Sequence, residues 1–417
     1  MFKNAKRILA IALVIIMSLA TVWVVSAELD PGTPDNPGRA AITKRLVTPE
    51  GTYVPSNMTF TFNIVPHSFN GIEVGEPEFP ASPFAIPELG DDGVTTITVG
   101  STTGTTANGI TTRYIEGDEL LSNITWPSTG VFAFTVSEAA TTAPYVMNAN
   151  NPDLIETMVF SPAEYRLYVY VAFCDDEEVY YVRYVYGIVT IEDPNDDLIV
   201  GDKVDPNPGD PSITGDFSEM VFQNAYTRTY EHDDPEDGPL YVSKTVTGSF
   251  GSLIREFEFS VTITLDEMFG DFPTFTGNIL REDGTVRVAN VSFANGDATT
   301  VELAHGERLV FDDLPVGTQW RAVETAVIDY NTTIIVSGTV ANPASETLGD
   351  ANNSVLDTGT RPVLVDGSFA RFTNDNDREP PTGLNLSNPS VVALALLAVG
   401  SLAAFIVIKA RKAKRYN

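Results

Sequence analysis

Val242-Ser243-Lys244-Thr245-Val246 alternates with the two-residue period of a β-strand, setting two valines and a lysine on one face and Ser243 with Thr245 on the other. An ammonium on an apolar face is expensive to bury. Lys244 therefore either snorkels its head to water or meets a buried partner. Lysines are scarce enough to follow one by one: between the two apolar ends of the chain only Lys44, Lys203 and Lys244 occur. Lys44 and Lys244 each open a strand-rich region, and each has the same distant companions. The first set is Lys44, Glu138 and Asn224, and the second is Lys244, Glu324 and Asn374.

The neighbours at two-residue steps predict where these side chains point. Ile42 precedes Lys44; Phe132, Phe134 and Val136 lead to Glu138; Phe222 precedes Asn224. Trp320 and Ala322 lead to Glu324, and Ala370 with Phe372 leads to Asn374. All six polar residues are expected to face inward. Desolvation lowers a lysine pKa and raises a glutamate pKa, which favours a neutral amine beside a protonated acid. Such an amine can attack the asparagine carbonyl while the acid hydrogen-bonds that carbonyl and relays protons to departing ammonia. The product is an amide cross-link between side chains, formed once and not turned over. For one set alone the plainer reading, a snorkelling lysine and an edge carboxylate, would be preferred. Two sets in the same chain order favour the cross-link.

Ile42-Thr43-Lys44, Thr135-Val136-Ser137-Glu138 and Val221-Phe222-Gln223-Asn224-Ala225-Tyr226 resemble the lysine, glutamate and asparagine strands of the isopeptide-bonded shaft pilins of Gram-positive bacteria. Val242–Val246, Arg255–Phe259, Leu314-Pro315-Val316-Gly317-Thr318, Val323-Glu324 and Phe372-Thr373-Asn374 are similar to a repeated module of related surface proteins. The resemblance implies tandem Ig-like (CnaB-type) β-sandwiches, Lys44–Asn224 and Lys244–Asn374 cross-links, and Glu138 and Glu324 as the catalytic acids. For the second domain it also implies that Lys244 and Asn374 lie on neighbouring first and last strands, with Glu324 coming from the facing sheet. In such pilins a lysine shortly before the last asparagine strand accepts the activated threonine of the next subunit. Lys203 stands in that neighbourhood as the candidate intermolecular acceptor, the alternative being a solvated loop lysine.

The ends suggest export and anchoring. Lys3, Lys6 and Arg7, an apolar run from Ile8 to Val25 and Val25-Ser26-Ala27 read as a signal peptide cleaved after Ala27, with a retained anchor as the lesser reading. Val391–Ile408 has the length of a transmembrane helix, and the basic residues that follow it should stay cytoplasmic. With Glu379-Pro380-Pro381-Thr382-Gly383 before it, the whole resembles a sortase sorting signal cut after Thr382, although Glu379 stands where the commonest form has leucine. A simple tail anchor is the alternative. Sortase, peptidoglycan and neighbouring subunits are the implied partners, and a secreted, wall-anchored protein with a membrane-bound precursor is the implied location.

The 417 residues carry a formal charge of −31, a surface that repels nucleic acid. Cys174 is the single cysteine, so no internal disulfide can form in this exported chain. His67, His232 and His305 lie in unrelated contexts, and no phosphate loop or metal-spaced cluster occurs, so no cofactor, metal or multiple-turnover enzyme is expected. A glycosidase built on two carboxylates leaves no local motif, and the sequence is silent on it.

Short alternating runs with no sustained helical period predict an all-β chain. The expected order is signal peptide 1–27, disordered leader 28–39, first sandwich 40–230, linker 231–239 and second sandwich 240–376. Wall-spanning linker 377–390, transmembrane helix 391–408 and tail 409–417 follow. Within the first domain, Pro80 to Gly130 is rich in Thr, Gly and Asp and reads as a surface insertion or long hairpins, either solvated decoration or a binding face. The function these features point to is a pilin or pilus-like stalk subunit; the alternative is a monomeric wall-anchored adhesin for a host or partner-cell ligand.

Overall fold

The structure, a computed structural model, describes residues 31–82, 84–140, 154–210, 213, 215–230, 238–340, 344–350, 355–377 and Leu397. The expected signal peptide with its cleavage site at Ala27, most of the expected inter-domain linker, the expected sorting motif Pro380, Pro381, Thr382 and Gly383, and nearly all of the C-terminal apolar segment lie outside the described residues. Among the described residues no helix is long and apolar enough to cross a membrane.

The all-β expectation holds, and the strands form two sandwiches in tandem. The first contains β1 (Thr43–Pro49), β2 (Thr59–Phe69), β3 (Ile72–Glu73), β4 (Val94–Thr98), β5 (Thr105–Ala107) and β6 (Ile110–Glu116). It is completed by β7 (Gly130–Glu138), β8 (Leu154–Val159), β9 (Glu164–Cys174), β10 (Val179–Ile191), β11 (Lys203–Val204) and β12 (Val221–Tyr230). The second contains β13 (Leu240–Thr247), β14 (Phe257–Thr264), β15 (Thr274–Leu280), β16 (Val286–Ala294), β17 (Ala298–Leu303) and β18 (Arg308–Phe311). There follow β19 (Gln319–Glu324), β20 (Asn331–Val336), β21 (Glu346–Asp350), β22 (Leu356–Asp357), β23 (Arg361–Pro362) and β24 (Ser368–Asp375).

In the first sandwich a sheet ordered β5-β6-β1-β12-β8 faces one ordered β11-β10-β9-β7-β2-β3, with β4 added on β2. In the second, β16-β15-β18-β13-β24-β20-β21 faces β17-β14-β19-β22, with β23 added on β19. The first and last strands of each domain are parallel neighbours, β1 beside β12 and β13 beside β24. Alternation explains the packing: Phe132, Phe134 and Val136 are fully buried, as are Phe257, Phe259, Val261 and Ile263 of the long stripe in β14. Each such side chain contributes about 2 kcal/mol by burial. The Asn70-Gly71 turn has positive φ at both residues, which fits the right-handed twist of the β2–β3 hairpin it closes.

Two regions differ from the sequence reading. Residues 31–39, expected as part of a disordered leader, are held to β10: the Gly32 and Gly38 N–H groups donate to the Arg183 and Val182 carbonyls, both at 2.8 Å. Backbone hydrogen bonds need no apolar pattern, which is why a Pro- and Gly-rich stretch gave no sign of them. The Pro80–Gly130 region does contain a hairpin, β5–β6, but it is no surface addition, because β6 pairs along the whole of β1 and sets Ile115 opposite Lys44. Its threonine-rich sequence hides the alternation.

The sandwiches also touch. Val47 and Ala225, on the outward faces of β1 and β12, join the hydrophobic core of the second domain, which also includes Leu314. The Leu314–Thr318 turn lies on these strands, with the Val316 N–H donating to the Arg228 carbonyl at 2.9 Å. Gly317, at φ +83°, is forced by this contact, since a Cβ there would stand 2.4 Å from the Pro49 Cβ.

Candidate functional site

Each parallel pair presents its lysine and asparagine to the interior at the same offset. Lys44 is level with Phe222 and Leu46 with Asn224; Lys244 is level with Phe372 and Val246 with Asn374. Lysine and asparagine are thus diagonal neighbours on one face, roughly 7 Å apart at the backbone, a gap a lysine arm spans. The glutamates come from the facing sheets, Glu138 at the end of β7 and Glu324 at the end of β19. Each sits level with a phenylalanine, Phe62 or Phe259 respectively. The structure brings both predicted sets together.

In the first domain Lys44 Nζ donates to Glu138 Oε2 at 2.7 Å, and Asn224 Nδ2 donates to Glu138 Oε1 at 2.8 Å. In the second, Lys244 Nζ and Asn374 Nδ2 both donate to Glu324 Oε1, at 2.6 and 2.8 Å. No side chain of the six is more than 2% exposed. Lysines only 0% and 1% exposed do not snorkel.

Burial pushes both lysines down to about 8, against the opposing pull of the adjacent glutamate. Desolvation raises Glu138, and the charge and hydrogen bond of Lys44 only partly offset it. The amine and acid of the first set are thus both drawn towards their neutral forms.

Two features escaped the sequence reading. Each ammonium lies against a pair of phenylalanines two residues apart, Lys44 Nζ at 4.6 and 5.8 Å from the Phe60 and Phe62 ring centres. Lys244 Nζ lies 4.3 and 5.8 Å from those of Phe257 and Phe259. The repeated Phe-x-Phe was visible as core alternation, and only the shared position beside the lysine gives it a role. The second feature is the Asn224 carbonyl. The glutamate was expected to hydrogen-bond the carbonyl oxygen, but Glu138 takes the amide nitrogen, and Asn224 Oδ1 accepts from the Ser161 backbone N–H at 2.8 Å. Among the described residues Asn374 Oδ1 has no such donor, and Glu324 Oε2 likewise has no partner.

Lys203 lies apart from both clusters, exposed in β11, with Nζ 5.1 Å from the Tyr186 ring centre. No group of three or more histidine, cysteine or acidic side chains able to hold a metal ion occurs among the described residues.

A family described as a domain of unknown function, DUF7601, matches residues 238–355, most of the second sandwich. The pilus tip adhesin Cpa of Streptococcus pyogenes is 26% identical over 148 residues, which span 35% of this chain but 18% of the adhesin. A pilin of Streptococcus pyogenes serotype M1 is 22% identical over 389 residues, covering 89% of this chain and 91% of that pilin. The solved major pilin from Streptococcus pyogenes is 19% identical over 82% of this chain and 99% of its own, with a TM-score of 0.31, too low for the superposition to carry weight. The chain is thus similar over most of its length to one pilin and over a shorter stretch to a pilus tip adhesin, both of Streptococcus pyogenes.

Proposed function

We propose that this chain is a structural subunit of a pilus or pilus-like stalk, joined to the cell wall by sortase and hardened by two self-formed isopeptide bonds, Lys44–Asn224 and Lys244–Asn374. The observation that carries the reading is the twofold burial of an amine, a carboxyl and a carboxamide in mutual hydrogen bonding, at the same strand register in both domains. An ion pair so deeply buried is weak as a stabiliser, because desolvation of two charges offsets most of their attraction. As reactants the same groups are well placed.

In the first domain, Lys44 passes a proton to Glu138 Oε2 and its free amine attacks Asn224 Cγ. A tetrahedral intermediate forms with negative charge on Oδ1. Glu138 then delivers a proton from its carboxyl group to Nδ2, the Cγ–Nδ2 bond breaks and ammonia leaves. The new Nζ–Cγ amide is neutral, and the remaining amine proton is taken up by the carboxylate or by ammonia. One carboxyl thus serves the nucleophile through one oxygen and the leaving group through the other. Glu324 supports the same transfer in the second domain.

Anchoring rests on the sorting motif and on Lys203. The threonine carbonyl, held as a thioester on the sortase cysteine, is transferred to an amine with return of the thiol. In a polymer that amine is Lys203, the one lysine of residues 31–377 in neither cluster. The likeness to a tip adhesin supports a second reading, a monomeric wall-anchored protein that binds a host or partner-cell ligand. The deciding experiment on the bonds is the intact mass of the purified chain with peptide mapping. A deficit of two ammonia molecules is expected, with Glu138→Ala and Glu324→Ala each restoring one; full mass in the wild type rejects the proposal. A ladder of covalent multimers in wall extracts that Lys203→Ala abolishes favours the polymer over the adhesin.

A further inference from the structure

The two clusters differ at one atom. Asn224 Oδ1 accepts the Ser161 N–H at 2.8 Å, while Asn374 Oδ1 has no partner among the described residues. Ser161 lies in the short connection between β8 and β9 and is buried, at 7% exposure. Its position is fixed from a second loop. Ser161 Oγ donates to Asp193 Oδ2 at 2.6 Å, and Asp193 Oδ1 accepts the Asn195 N–H at 3.0 Å. Asp193, in a segment that its sequence marks as a solvated acidic loop, is 5% exposed. A carboxylate is buried at this depth only when its hydrogen bonds are met, and here they hold a serine whose amide aims at the reacting carbonyl.

We propose that the Ser161 backbone N–H is the oxyanion donor for bond formation in the first domain, and that Asp193 is the residue that positions it through the Ser161 hydroxyl. The inference rests on the isopeptide reading above. When the Lys44 amine adds to Asn224 Cγ, the negative charge develops on Oδ1, the atom this amide already touches. A donor fixed in advance and shielded from water stabilises that charge without having to reorganise, and removal of one such donor slows acyl transfer by about 100- to 1000-fold. The second domain forms its bond without this aid and so serves as an internal control within the same molecule.

The test uses the full chain, recovered unfolded, refolded by dilution and sampled over time, with the two cross-linked peptides quantified separately by mass spectrometry. Asp193→Ala and Ser161→Ala each loosen the amide without deleting it, and each is expected to slow the Lys44–Asn224 bond about tenfold while the Lys244–Asn374 bond keeps its wild-type rate. Both act through one N–H, so the double variant should be no slower than the slower single one. Asp193→Asn, which still accepts from the hydroxyl, should restore most of the rate. A purely packing role would not separate the asparagine variant from the alanine one at equal folded fraction. Wild-type rates in both alanine variants, or an equal slowing of both bonds, would overturn the inference while leaving the isopeptide reading intact. Absence of the Lys44–Asn224 bond from the wild-type chain removes the inference together with the isopeptide reading of the first domain.

Discussion

Lys44 and Lys244 hold their charge against desolvation, and that conflict sets a pH dependence. Each is lowered from 10.5 to about 8 in the fold. Between those values the unfolded chain binds more protons than the folded one, so the unreacted protein gains stability as pH rises from about 8 to 10.5. The same shift controls reactivity: below 8 the neutral fraction of amine grows about tenfold per pH unit. Refolding from pH 6 to pH 8 should therefore speed ammonia release steeply, with the gain levelling above pH 8; a rate independent of pH over that range would contradict an amine nucleophile. Phe257 tests the cage around the amine. In a Glu324→Ala background, where no bond masks the effect, Phe257→Ala should lower the stability of the second domain by about 3–5 kcal/mol, read from its denaturation midpoint.

At the scale of strands and turns, the parallel pairing of first and last strands explains why residues so far apart in sequence share a site. The inward direction of all six polar residues was legible from two-residue alternation alone, because Phe132, Phe134, Trp320 and Phe372 leave no choice of face. Strand adjacency was not. Periodicity says which way a side chain points and nothing about its neighbour, so the placement of lysine beside asparagine was available only through resemblance. Ser161 and Asp193 were illegible for another reason: a backbone N–H has no letter in the sequence, and one buried aspartate in an acidic run resembles its solvated companions. The junction between sandwiches was equally hidden, since Val47 and Ala225 occupy outward positions of β1 and β12 and pack against the other domain. Gly317 offers a handle on it. Gly317→Ala combines a left-handed φ with a collision at Pro49, and should destabilise the junction by about 1–3 kcal/mol. Faster proteolysis between the domains, with both cores still folded, is the expected outcome.

For the molecule as a whole, each proposed bond closes a loop of well over a hundred residues, which the chain-entropy model values at about 5 kcal/mol. Loss of the bonds should show most in rates. Glu138→Ala with Glu324→Ala is expected to give a folded chain that trypsin and heat destroy far sooner than the wild type, and equal lifetimes would mean that the bonds are absent or idle. The parallel seam has a mechanical consequence of its own. Because β1 and β12 run side by side in one direction, as do β13 and β24, the backbone enters each sandwich at one end of the seam and departs from the other. A pull on both ends loads the hydrogen bonds of the seam in shear, all together, where an antiparallel pair would unzip them one at a time. Even without its covalent rivets, each sandwich should resist stretching up to a single abrupt rupture.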